Sequence, residues 1–66
     1  MKIQILLDGR LLSTQAVSDE LLALQPSIRD AKRLALKSAI QHREISISQS
    51  LRVTFKVLEA GKWIEA

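Results

Sequence analysis

Glu44–Ala66 reads EISISQSLRVTFKVLEAGKWIEA, and its reading decides the fold. The apolar residues Ile45, Ile47, Leu51, Val53, Phe55 and Val57 all stand at odd positions. Such a period of two, carried mainly by β-branched and aromatic side chains, predicts strand with one face buried. The end of the stretch predicts a hairpin. With Ala60-Gly61 as a two-residue loop, Glu59 falls opposite Lys62, Leu58 opposite Trp63, Val57 opposite Ile64 and Lys56 opposite Glu65. Two apolar and two opposite-charge pairs match in one register, each worth about 0.2–1 kcal/mol. The start of the stretch has two readings. A three-residue loop at Ser48-Gln49-Ser50 pairs Ile47 with Leu51 and Ile45 with Val53, which keeps the apolar face intact. That loop lacks glycine, so a single strand over about 44–58 is the alternative.

At the other end of the chain, KIQILLDGRLLSTQ (Lys2–Gln15) predicts a first hairpin. Asp8-Gly9 suits a tight turn in which both central residues take positive φ. A regular register then pairs Leu7 with Arg10, Leu6 with Leu11, Ile5 with Leu12 and Gln4 with Ser13. Ile3, Ile5, Leu7 and Leu12 collect on one face; Leu6 and Leu11 lie on the other.

The middle of the chain predicts a helix over about 27–43, with Ser27 as its cap and Asp30 in its first turn. Ala31, Ala35 and Ala39 recur every four residues and form a narrow stripe, flanked by Ile28 and Leu34, that lets a helix lie close on a flat surface. The expected surface is the sheet face made by Ile3, Ile5, Val53 and Phe55. Leu36 and Ile40 fall further round the helix, so its apolar arc is wider than a simple surface helix needs. Either the segment carrying the leucines at 21 and 24 or a second subunit covers them. Pro26 separates the main helix from a short helix or irregular segment at 16–24, where Ser18, Asp19 and Glu20 suit a helix start.

Arg29, Arg33 and Lys37 form an i, i+4, i+8 ladder of like charge. Such pairs destabilise an isolated helix by only about 0.2–0.5 kcal/mol each. A solvated face carries that cost without any function, whereas a phosphate-contacting helix would use it. The net charge of +3 is concentrated here. Residues 27–56 hold seven Lys or Arg against Asp30 and Glu44, while the flanking segments 1–26 and 57–66 are each net −1. Arg52 and Lys56 extend the patch if the fold brings them round. The aromatic supply is poor: Phe55 belongs to the core pattern and Trp63 is the only other aromatic residue, so base stacking has little to rest on.

Composition sets further bounds. A 66-residue chain is a single small domain, 1–66, and buries only about 60% of its unfolded surface. An apolar fraction of 47% argues against disorder. No cysteine is present, which excludes disulfide staples and cysteine-based zinc sites and fits a reducing, cytoplasmic compartment. No signal peptide is visible, and no apolar run approaches the roughly 20 residues of a membrane span. Catalysis is not expected. His42 is the only histidine, so any serine triad would rest wholly on it. Asp19-Glu20 is better explained by helix capping than by metal binding, and Gly9 and Gly61 both belong to hairpin turns. No cofactor, metal, membrane or small-molecule substrate is expected.

The sequence therefore predicts an α+β domain: an antiparallel sheet of two hairpins, about 2–13 and 44–65, with one main helix on one face. Its expected role is a non-catalytic interaction module that self-associates, a dimer being favoured. The interface candidates are Leu6, Leu11, Leu58 and Trp63 on the outer sheet face, with Leu36 and Ile40 on the helix. Nucleic-acid binding through Arg29, Arg33, Lys37, Arg52 and Lys56 is the alternative.

Overall fold

The computed structural model describes residues 1–17 and 28–66. The chain passes through strand β1 (Lys2–Leu7), strand β2 (Arg10–Ala16), helix α1 (Ile28–Gln41), the one-turn helix α2 (Ile47–Ser50), strand β3 (Thr54–Glu59) and strand β4 (Lys62–Glu65). All strand pairs are antiparallel, in the order β2-β1-β3-β4. The expected α+β architecture of two hairpins and a main helix is the one found. Of the segment expected to be helical at 16–24, Ala16 closes β2 and residues 18–24 lie outside the described residues, as does the Ser27 cap. Val17 prolongs the β1–β2 ladder: its N–H donates to the Met1 carbonyl at 2.7 Å, and the Met1 amino group donates to the Val17 carbonyl at 3.0 Å.

Both turns are the two-residue loops expected, and in the second the non-glycine Ala60 adopts a positive φ. Asp8 and Gly9 take φ of 51° and 79°, and Ala60 and Gly61 take 50° and 78°. Paired positive φ values match the twist of the flanking strands. In the second hairpin all four predicted cross-strand pairs are present.

The first hairpin departs from its expected register after two pairs. Leu7 faces Arg10 and Leu6 faces Leu11, but Ile5 then faces Ser13, Gln4 faces Thr14 and Ile3 faces Gln15. Leu12 is an extra residue, a β-bulge, and every later side chain of β2 changes face. Leu12 still packs against the core, as predicted. Ser13 and Gln15, however, join Ile5 and Ile3 on the inner face, where they are buried.

A larger correction concerns residues 44–53. Neither a loop at 48–50 nor one long strand forms, and the second hairpin begins only at Thr54. Ile47–Ser50 is instead a helical turn with reciprocal capping. The Gln49 N–H donates to Ser46 Oγ at 3.1 Å, and the Ser46 N–H donates to Gln49 Oε1 at 2.9 Å. This capping box satisfies two backbone donors locally. It prevails over a period-two pattern because Ile47 and Leu51 gain no burial. They stay 71% and 84% exposed, while Ile45 is buried.

The core lies between α1 and the inner sheet face. Ala31, Ala35 and Ala39 are fully or almost fully buried against Ile3, Ile5, Val17, Ile45 and Val57. Leu34, Leu36, Ile40, Val53 and Phe55 pack around this cluster, half-buried. The alanine stripe does what its spacing predicts, bringing the helix backbone near the sheet. On the β3 side the Lys32 ammonium sits over the Phe55 ring, 5.5 Å from its centroid, a cation–π contact.

Candidate interaction surfaces

Three surfaces emerge from this architecture. The first is the side of α1 facing away from the sheet. With Ala31, Ala35 and Ala39 turned inward, the helical repeat carries Arg29, Arg33 and Lys37 outward, and all three are exposed. Arg43, just past the helix end, and Arg52, just past α2, are exposed too. Glu44, the carboxylate next to Arg43, is occupied elsewhere, as described below. Lys56 does not join this group. It lies on the outer face of the sheet, between Gln4 and Glu65, with the whole sheet separating it from the helical ladder.

The second surface is that outer face. Leu6 pairs with Leu11, and Leu58 with Trp63, as predicted. The two pairs do not merge into one patch. The registers place Thr14, Gln4, Lys56 and Glu65 in a polar row across the sheet between them. Leu6 is buried, Leu11 is half exposed and Trp63 is 38% exposed. The sequence alone does not reveal this spacing, because it depends on how β1 is staggered against β3.

The third surface surrounds α2. A shallow groove of about 450 Å³ is lined by Ile40, Arg43, Glu44, Ile45, Ser46, Ile47 and Gln49. Ile40 thus contributes both to the core edge and to this groove, whereas Leu36 stays with the core edge. Ile47 and Leu51, four residues apart, are the most exposed large apolar side chains among the described residues. Sequence reasoning missed them as surface residues because it assigned them to a buried strand face. The Ser46-x-x-Gln49 capping pattern was the available signal.

A polar cluster joins β2 to the end of α1. The bulge at Leu12 turns Ser13 and Gln15 inward, and both donate to Glu44 Oε2. Gln15 Nε2 also donates to Ser13 Oγ at 2.7 Å, and Ser38 Oγ donates to Gln15 Oε1 at 2.9 Å. Every proton in the cluster has an acceptor, and no buried side-chain N or O atom among the described residues lacks a partner. Ser38 Oγ also lies 3.4 Å from His42 Nδ1. These hydrogen bonds clamp β2 to the C-terminal end of α1.

Other features complete the map. Among the described residues, no group of three or more His, Asp or Glu side chains is arranged to hold a metal ion. No described helix is long and apolar enough to cross a membrane. β4 is an edge strand, and Lys62–Glu65 are all exposed. Compared with known protein families, curated proteins and solved structures, the chain matches none of them.

Proposed function

We propose that this chain is a non-catalytic interaction module that self-associates. One observation carries the reading: the disproportion between the core and the apolar surface. Ile3 and Ile5 are the only large side chains fully removed from solvent among the described residues, and α1 contributes only alanines to the buried set. Leu11, Ile28, Ile47, Leu51, Trp63 and Ile64 meanwhile remain 38–84% exposed. Small domains with so little buried bulk gain stability by association. Light scattering from micromolar to millimolar concentration tests this. Mass rising toward a dimer is expected; a strict monomer throughout overturns it.

A second reading is favoured by the exposed ladder of Arg29, Arg33 and Lys37, with Arg43 and Arg52 beyond it. A nucleic-acid backbone is the polyanion that such a stripe fits. Both aromatic residues lie away from the ladder: Phe55 packs on the core and Trp63 sits on the opposite face of the sheet. No stacking platform accompanies the charges, which ranks this reading second. Under this reading, affinity for duplex DNA falls with salt. Replacing the three ladder residues by Gln makes the log–log slope shallower by about 3. No binding at low salt excludes it.

A further inference from the structure

The hydrogen-bond phase of the second hairpin shows what β4 offers to a neighbour. The Ala66 N–H donates to the Phe55 carbonyl at 3.1 Å, one step beyond the Lys56–Glu65 pair. Bonded and non-bonded pairs alternate along an antiparallel ladder. Residues 62, 64 and 66 therefore bond to β3, and Trp63 and Glu65 direct their N–H and C=O groups toward the open edge. The opposite edge of the sheet, β2, is interrupted by its bulge, a feature that discourages strand addition. β4 has neither bulge nor proline.

A second copy is the occupant that fits this edge, by the following geometry. Two identical strands pair antiparallel about a two-fold axis perpendicular to the sheet, so facing residues share a face and their numbers sum to an even value. Of the registers that use the outward groups, centring on Lys62 sets Trp63 against the turn residue Gly61, and centring on Glu65 pairs only Glu65 with its mate and sets two carboxylates face to face. Centring on Trp63 places Glu65 against Gly61 of the second copy. Gly61, at φ 78°, belongs to the turn and cannot extend the ladder. Centring on Ile64 places Trp63 against Glu65 of the second copy and Glu65 against Trp63 of the second copy. All four outward N–H groups are then paired, using extended residues only.

We infer that β4 joins two copies into one continuous eight-stranded sheet, with Ile64 facing Ile64 of the second copy across the axis. This rests on the self-association reading and names its interface. Ile64, now 45% exposed, is covered by its symmetry mate on the helix side of the sheet.

Single-cysteine variants of the full chain test the register, because the native chain has no cysteine. In the inferred dimer the two residues at position 64 form a non-bonded pair with Cα atoms about 4.5 Å apart, within the disulfide range that begins near 4.4 Å. The two residues at position 63 are diagonal, about 7–8 Å apart. Under mild oxidation Ile64→Cys is expected to form covalent dimer at least ten times faster than Trp63→Cys. The reverse order, or no cross-link in a chain that scatters as a dimer, overturns the β4 interface and leaves self-association standing. A second variant, Glu65→Pro, removes an outward donor while sparing the bonds to β3. It is expected to weaken the dimer at least tenfold with an unchanged far-UV CD spectrum. A dimer indifferent to it overturns the interface, and a wild-type monomer at all concentrations removes both proposals.

Discussion

Arg43, two residues past the end of α1, takes φ 58°, in the left-handed region where side chains with a Cβ are strained. Its N–H donates to the Ile40 carbonyl at 3.0 Å, and the Glu44 N–H reaches back to the Ala39 carbonyl at 2.9 Å. These two bonds form a Schellman closure in which glycine is the usual residue at the strained position. The reversal brings Glu44 to Ser13 and Gln15. Arg43→Gly is expected to stabilise the domain by about 0.5–1 kcal/mol, the strain relief outweighing the added chain entropy. A higher urea midpoint at unchanged slope would show it; a lower midpoint would mean that the arginine side chain supplies a compensating contact. Without a glycine after Gln41, the sequence carries no marker of this closure. For the same reason the clamp through Glu44 was illegible. Ser13 and Gln15 read as outward-facing strand residues until the unpaired Leu12 reverses them.

At the scale of elements, legibility followed the number of independent signals that agreed. The β3–β4 hairpin had turn chemistry, apolar pairing and charge pairing in one register, and each predicted pair is present. Helix α1 had its alanine stripe, and the structure buries all three alanines. Residues 44–53 had two signals in conflict. Period two pointed to strand, while Ser46-x-x-Gln49 pointed to a helical start, and the local hydrogen bonds prevailed. Because α2 is one exposed turn, its cap supplies much of what orders it. Ser46→Ala is expected to cost about 1 kcal/mol, and Ser46→Asp, which keeps an acceptor for the Gln49 N–H, is expected to cost much less. Chemical denaturation of the two variants side by side, with amide hydrogen exchange at Gln49 and Ser50, distinguishes a capping loss from a general one. Equal effects would remove the capping account.

Viewed whole, the molecule is a thin two-layer object whose core relies on alanine for close approach rather than on bulk. Its apolar surplus was visible in the composition. Where that surplus would emerge was not, because the stagger of β1 against β3 and the helical turn at α2 are tertiary outcomes. A chain stabilised by association has a melting temperature that depends on its own concentration. The unfolding midpoint is therefore expected to rise as the wild-type chain is concentrated, and to rise less for Glu65→Pro. Differential scanning calorimetry over the concentration range used for scattering checks both, and a flat midpoint speaks against association.

The leucine at position 12 has a final consequence for this sheet. It has no cross-strand partner, so a chain lacking it could keep every existing pair: Leu6 with Leu11, Ile5 with Ser13, and the rest. What would vanish is the kink along that margin. A straight, unbroken margin is where foreign strands zip on and fibrils seed. One supernumerary leucine thus guards one side of the molecule and leaves the other free to be used.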